Sequence, residues 1–478
     1  MCGLVLLVGE KSQGLISECT ERLRHRGPDS TSISIGNGVS LGFQRLSING
    51  DAVQGHQPFE EQGWSAVVNG EVYNYLDLIT RYELPKSGCD TSVMLPLFLL
   101  MKEDVIDELD GFYAAAILNP ERTEAFCFRD LIGKKPLFVG SFKGTVFITS
   151  ELKALPEADW FKALPKGVSK VDLISGKFEL LKEHHQESTD TPLNEALIES
   201  VLKRLPADDQ PLGVFLSGGL DSSIIASITS RFREDAHYFI LGNKDSSDSV
   251  AAQTVVDYLD LKNVSYVPLP HEHEIPQLVS ETVYATESYN PSVISNGLST
   301  FLLAKAARKA GIRVALTGEG ADELFGGYHQ FSEKEPWQET RKQLINDMQF
   351  TELRRLDLSC MASSIEPRCP FLDRKVRAYS NQLDYCQLYN TKTNKVALRQ
   401  SFSDYLPDEI LHRQKTSCDV GSGVRGMVVR YLHQNGRSER EELLEIWNTH
   451  FNFESTNNYF HSYPVFDAAI DVRGESHR

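Results

Sequence analysis

The sequence predicts two α/β domains: a stacked-sheet αββα domain over residues 1–182, then a parallel-sheet α/β domain over 193–478. Three observations lead there. Up to about residue 182, short β-rich runs alternate with turns, and few stretches carry a helical pattern. A polar, Pro-containing stretch, Glu183–Pro192 (EHHQESTDTP), then breaks the pattern as a linker does. Beyond it, apolar runs of strand length alternate with helical segments, the rhythm of a parallel sheet flanked by helices. A chain of 478 residues is also too long for one ordinary core.

In the first part, the strand candidates are Gly3–Val8, Leu41–Ile48, Ser65–Val68, Phe112–Leu118, Ala125–Phe128 and Val146–Thr149. Helical patterns lie around Tyr75–Tyr82 and Thr91–Met101. After the linker, Leu193–Leu205 reads as a helix, Leu212–Leu216 as a buried strand and Asp221–Phe232 as a helix. Tyr238–Leu241, Val264–Val267 and Arg313–Leu316 follow as strands, with a helical pattern from Gly297 to Ala310. From Gln338 onward the chain is mostly helical, without repeats.

Composition narrows the function class. Hydrophobic residues at 41% and charged residues at 24% are a soluble globular balance. The formal charge of −17 disfavours nucleic acid and membrane partners, although it does not describe an individual cleft. The apolar run Leu4–Val8 is too short to span a bilayer and lacks the flanks of a signal peptide. Eight cysteines without a CxxC pair argue against a disulfide framework or a zinc site, so a reduced, cytoplasmic enzyme is expected.

Cys2 is the first chemical signal. Removal of Met1 would give one residue both a thiol and an α-amine, and an amine of pKa near 8 serves as the thiol's own base. Alone, a cysteine at position 2 is usually an accident. Behind it, however, come RHRGPDS (Arg24–Ser30), NGEVYN (Asn69–Asn74), RDLIGKKPL (Arg129–Leu137) and SELKAL (Ser150–Leu155). Each could be an ordinary turn, but together they resemble the class II glutamine amidotransferases, with an Ntn-hydrolase-like glutaminase domain. The resemblance implies that Cys2 attacks the glutamine amide, with Asn69 and the Gly70 N–H stabilising the oxyanion. It further implies that Arg45 holds the glutamine carboxylate and that Glu71 and Asp90 complete the glutamine site. Cys89 stands before Asp90 where the family usually has serine.

The second signal is SGGLDSS (Ser217–Ser223), after the apolar run Gly213–Leu216 and opening a helix. Glycines let backbone approach an anion, and a helix N-terminus offers N–H donors to it. No lysine follows the glycines, so this is not a Walker loop. It resembles the PP-loop of ATP pyrophosphatases, which cleave ATP between the α and β phosphates. TGEGADELFGGY (Thr317–Tyr328) is a second fingerprint of that kind. With SIEPRCPFLD (Ser364–Asp373) and RQK (Arg413–Lys415), these segments resemble the synthetase domain of asparagine synthetases, over roughly residues 2–423.

The resemblance implies that ATP binds against Leu216, Ser217, Gly218, Gly219, Asp221, Ser222, Gly318 and Glu319. Asp221 and Asp322 would hold Mg²⁺, a cation that retains waters and takes few protein ligands. Lys415 would offset phosphate charge, and Glu287 would manage protons as ammonia attacks the adenylate. The expected reaction is amidation of a carboxylic acid, aspartate to asparagine first, through an acyl-adenylate with release of AMP and pyrophosphate. Ammonia would reach it from glutamine hydrolysis through an apolar tunnel. A homodimer is a further expectation, without residue-level support.

The chain departs from the family where the acid binds. Asn290 stands for an aspartate, Ser295 for an arginine and Leu358 for an arginine. These changes keep open a second reading, amidation of a different acid in a specialised pathway. A tRNA-modifying PP-loop enzyme would leave the first domain unexplained.

Overall fold

The computed structural model describes residues 1–9, 12–50, 53–185, 188–328, 331, 335–390 and 393–461. Residues 186 and 187 of the expected linker, and the tail from 462, lie outside the described residues. Two compact units are present, one of residues 1–185 with 451–453, the other of 186–450 and from 454 on.

The described strands of the first unit are β1 (Cys2–Val8), β2 (Ser30–Gly36), β3 (Val39–Arg45), β4 (Phe59–Glu61), β5 (Trp64–Val72) and β6 (Gly111–Leu118). They continue with β7 (Glu124–Arg129), β8 (Phe138–Phe142), β9 (Thr145–Thr149), β10 (Trp160–Ala163), β11 (Gly167–Asp172) and β12 (Phe178–Lys182). They form two six-stranded sheets, ordered β10-β8-β9-β1-β3-β2 and β12-β11-β7-β6-β5-β4. All pairings within them are antiparallel.

Side-chain alternation explains the layering. On β5 and β6, Val67, Ala114 and Ala116 face the first sheet and meet Leu4, Leu6 and Phe43 there. Their neighbours Ala66, Val68, Ala115 and Ile117 point the other way, into a core shared with Leu78, Leu97, Phe98 and Ile106 of the covering helices. On the far side of the first sheet, helix Ser12–Glu21 packs so closely that a Cβ on Gly42 of β3 would lie 1.8 Å from the Thr20 hydroxyl. The result is helix, sheet, sheet, helix.

Helix Ser12–Glu21 and strands β2, β4, β8, β10, β11 and β12 add to the sequence reading. The buried stripe of that helix is Ser12, Ile16, Cys19 and Thr20, helically spaced but half polar, so hydrophobic periodicity does not reveal it. β2 and β12 are largely exposed sheet edges: β12 lacks the alternation of a half-buried strand, and β2 alternates serine with isoleucine but leaves Ile33 and Ile35 exposed.

The second unit has a five-stranded parallel sheet: β13 (Leu212–Phe215), β14 (His237–Leu241), β15 (Asn263–Val267), β16 (Val314–Leu316) and β17 (Glu366–Arg368). Its order is β15-β14-β13-β16-β17, so the connections leave β13 in opposite directions. The crevice beyond the carboxyl ends of β13 and β16 is thus a topological switch point, where α/β sheets bind ligands. Both Gly-rich loops emerge there. β17 holds Pro367, which is tolerated because the strand is an edge. Among the described residues, no helix is long and apolar enough to cross a membrane.

Candidate active sites

In the first unit, Cys2 lies directly opposite Arg45 in the β1–β3 pair. The Cys2 N–H donates to Asn69 Oδ1 on β5 at 2.9 Å, which ties the start of the first sheet to the second. Asn69 is fully buried, and its Nδ2 has no hydrogen-bond partner. A buried amide donor left unsatisfied is costly unless a ligand accepts from it. Its neighbour must be glycine: a Cβ at Gly70 would lie 2.2 Å from the Phe112 carbonyl oxygen.

Arg45 donates to the carbonyls of Asn49 (3.1 Å) and Gly50 (3.0 Å). The Asn49 side chain in turn donates to Glu71 at 2.6 Å, and Asp90 accepts from the Val72 N–H at 2.7 Å. Cys2, Arg45, Asn69, Gly70, Glu71 and Asp90 are thereby linked through adjacent strands and one loop. Burial pushes the Cys89 thiol up to about 11, and the Asp90 charge adds to this, so Cys89 stays a protonated thiol beside the site.

Four residues without a role in the sequence reading support this corner. Arg26 donates to the Cys2 carbonyl at 2.8 Å and pairs with Glu151. Glu151 also pairs with His25 (2.8 Å) and Lys153 (2.7 Å). Burial opposes the charge on Glu151, but Lys153, His25 and Arg26 outweigh it and hold the carboxyl well below the usual range. The segments RHRGPDS and SELKAL are the two halves of this buried ion cluster. Their pairing is visible only once β1 and β9 are neighbours.

In the second unit, the loop from β13 to helix Leu220–Ser230 is drawn tight by a Ser217–Ser222 hydroxyl pair at 3.0 Å. Gly218 has φ +68°, and a Cβ there would sit 2.3 Å from the Ala252 nitrogen. A Cβ on Gly318 would lie 2.9 Å from the Asp221 Cβ, so the second Gly-rich loop rests on the first. Together they wall a cavity of about 390 Å³.

Leu216, Ser217, Gly219, Asp221, Ser222, Gly318, Glu319, Asp322 and Lys415 all line that cavity, whereas Gly218 stands behind the wall. The central feature was not expected. Lys395, 2% exposed, donates to both Asp221 oxygens at 2.7 and 2.6 Å and lies 2.6 Å from Asp322. Lys415 reaches Asp322 at 2.5 Å. Burial raises the Asp221 carboxyl and prevails over Lys395, with the Asp322 charge adding. For Asp322 the balance reverses: burial raises it, but Lys395 and Lys415 pull it far below the usual range. The site needs Gly327 at its side, because a Cβ there would lie 1.9 Å from Asp322 Oδ1 and 2.4 Å from Lys395 Cε.

Two hard carboxylates drawn to one cationic point fit a divalent cation shared with phosphate oxygens. Nearby, Arg413 donates to the Ser217 carbonyl (3.2 Å) and to Asp248 (2.7 Å). Burial pushes the Asp248 carboxyl up to about 6 despite Arg413.

Glu287 is not among the lining residues. It ends helix Ile275–Thr286 with φ 54°, fully buried, and accepts from the Tyr459 hydroxyl at 3.2 Å. Arg354 donates to its backbone carbonyl at 2.7 Å. Glu319, by contrast, is on the cavity wall, paired with Arg355 at 3.0 Å. Asn290 caps helix Pro291–Lys309, accepting from the N–H groups of Ser292 (2.9 Å) and Val293 (3.2 Å). Ser295 donates to Asp419 at 2.6 Å on the cavity wall, and Leu358 is a buried helix residue.

Comparison with known proteins matches two domains, in order along the chain. The glutamine amidotransferase domain family matches residues 1–175, and the asparagine synthase family matches 192–352 and 345–457. "Asparagine synthetase (glutamine-hydrolyzing) 2" of Oryza sativa subsp. japonica is 32% identical over 471 residues, covering 88% of this chain and 78% of its own. The Lotus japonicus protein of the same name is 31% identical over 473 residues, with 88% and 78% covered. A "probable asparagine synthetase (glutamine-hydrolyzing)" of Acanthamoeba polyphaga mimivirus is 31% identical over 465 residues, with 87% and 84% covered. With both domains matched and the likeness running through most of the chain, the protein belongs to the glutamine-hydrolysing asparagine synthetase family.

Proposed function

We propose that the protein amidates a carboxylic acid with nitrogen from glutamine at the expense of ATP, and that aspartate is the acid to test first. The observation that carries this reading is the Asp221–Lys395–Asp322–Lys415 cluster beside the SGGLDSS loop, with Asp221 and Lys395 buried and Lys415 at its exposed edge. It supports a site that receives a highly charged phosphate group and a divalent cation.

In the first unit, once Met1 is removed, the Cys2 thiol attacks the glutamine amide carbon and its own amine takes the proton. The oxyanion is received by Asn69 Nδ2, a donor without a partner, and by the Gly70 N–H. Ammonia leaves with that proton, and water then releases glutamate from the thioester. Arg45 holds the glutamine carboxylate, while Glu71 and Asp90 receive its ammonium.

In the second unit, the acceptor carboxylate attacks the α-phosphorus of ATP, pyrophosphate leaves and an acyl-adenylate forms. Lys395 and Lys415 lie within reach of phosphate charge, and the helix Leu220–Ser230 presents its N–H groups to it. Asp221 and Asp322 would hold Mg²⁺, which supplies charge neutralisation at the phosphates. Ammonia from the first reaction attacks the acyl carbon and AMP departs. We place the proton-accepting role at Glu319, on the cavity wall, rather than at Glu287.

Pyrophosphate release from Mg-ATP and glutamine, measured across a panel of acids, tests the proposal. Asparagine formed from aspartate supports it in full. Turnover of another acid with aspartate inert replaces only the substrate, a second reading favoured by the Ser295–Asp419 pair in the cavity. No pyrophosphate with any acid refutes it.

A further inference from the structure

We infer that Asp419 is the specificity residue of the acceptor site, binding a protonated amine carried by the acid that is activated. The inference rests on the proposed amidation and names the chemistry of its acceptor.

The cavity wall carries several cations, and each is engaged. Lys395 holds Asp221 and Asp322, and Lys415 holds Asp322. Arg355 is paired with Glu319, Arg413 with Asp248 and Arg425 with Glu439. Arg399 donates to Asn394 at 2.6 Å and to the carbonyl of Leu411.

Among the lining carboxylates, Asp419 and Glu352 are in no ion pair described, and of the two Asp419 is the buried one, 4% exposed. Its Oδ2 accepts from the Ser295 hydroxyl at 2.6 Å, and its Oδ1 has no hydrogen-bond partner. A second oxygen without a partner, Asp248 Oδ2, belongs to a neighbouring carboxylate on the same wall. Helix Cys418–Ser422, which carries Asp419, packs against helices Pro291–Lys309 and Ser247–Leu259, so the backbone around the carboxylate is set.

A buried carboxylate with one neutral donor is far from compensated. A neutral N–H, such as the amino group of adenine, satisfies the geometry but not the charge. A ligand ammonium satisfies both, with the short charge-assisted bond that gives such pairs their strength. A site built this way rejects a substrate that lacks the amine, because the carboxylate is then left buried and unpaired.

The test uses the full-length protein driven by ammonium, so that glutamine hydrolysis does not limit it. Pyrophosphate release is measured with acids matched in pairs: aspartate with succinate, glutamate with glutarate, β-alanine with propanoate. In the wild type, at least one amine-bearing acid should exceed its amine-free partner in kcat/KM by on the order of 10³ or more. Asp419→Asn should bring the pair to within about tenfold, with KM for ATP and glutaminase turnover unchanged. Asp419→Glu keeps the charge and should keep part of the preference, and unchanged KM for ATP shows that the Asp419→Asn synthetase unit is folded.

Equal or better turnover of the amine-free acids overturns the inference while leaving the amidation standing. So does an Asp419→Asn change confined to KM for ATP, which would assign the carboxylate to the nucleotide. A wild type that binds Mg-ATP but releases no pyrophosphate with any acid overturns both.

Discussion

Replacing Lys395 by methionine tests the charge balance of the synthetase site. The change keeps the length of the side chain and removes the ammonium 2.6 Å from Asp221 and 2.6 Å from Asp322. Buried Asp221 and half-buried Asp322 then face each other, with Lys415 left beside Asp322. Breaking a buried ion pair by deleting one partner costs about 3–5 kcal/mol. At roughly 2–4 °C per kcal/mol for a unit of this size, the transition should fall by on the order of 10 °C at pH 7.5.

The pH dependence gives the argument its sign. Burial already raises the Asp221 carboxyl, and loss of Lys395 raises it further. A carboxyl whose folded pKa exceeds its unfolded value binds more protons when folded, so lowering the pH favours the folded variant. The gap from wild type should therefore narrow between pH 7.5 and 5, read by calorimetry of the synthetase transition. Pyrophosphate release should drop at least roughly a hundredfold. An unaltered melting temperature at pH 7.5, or a gap that widens in acid, would mean that Lys395 does not balance the Asp221 and Asp322 charges.

Four further outcomes are expected. Asn69→Ala should lower glutamine hydrolysis by about 10²–10³ in kcat, with ammonium-driven amidation intact, measured as glutamate and pyrophosphate from the same preparation. Glu319→Gln should cut amidation by roughly 10²–10⁴ without lowering the melting temperature. Glu287→Gln should act on stability instead, and the reverse pattern would return the proton-accepting role to Glu287. Glu151→Gln should destabilise the first unit by about 3–5 kcal/mol at pH 7. A depressed carboxyl contributes its stability above the unfolded pKa, near 4.3, and loses it as pH falls toward the folded value. The difference between Glu151→Gln and wild type should accordingly shrink in acid unfolding curves.

The legible parts of the chain were those with local signatures. Strands β1, β6 and β13 are continuous apolar runs, and the two Gly-rich loops combine glycine geometry with fixed acidic positions. Lys395 carried no such signature: TNKVALRQ is a mixed polar and apolar stretch with one lysine, and only the fold brings it to Asp221 across the second unit. Glu287 is the converse case. The resemblance implies that it manages protons, whereas its side chain is buried and accepts from Tyr459, which arrives from far along the chain. Asn290 looked like lost chemistry, and the fold uses it as a helix cap. The ion cluster around Glu151 was half visible, since both of its segments stood out but nothing in either named its partner.

One topological detail bears on how the protein is made. Residues 451–453 belong to the first unit, where Phe453 meets Phe161 edge to face at 6.2 Å and Asn452 donates to Glu157 at 3.1 Å. A ribosome adding roughly 5–20 residues per second needs some tens of seconds to pass from the end of β12 to that strip. During that interval the glutaminase unit waits with the Phe161 surface uncovered, while the synthetase unit is still being threaded out. A fragment cut after residue 185 is a permanent version of this nascent state, with the Phe161 face bare in both.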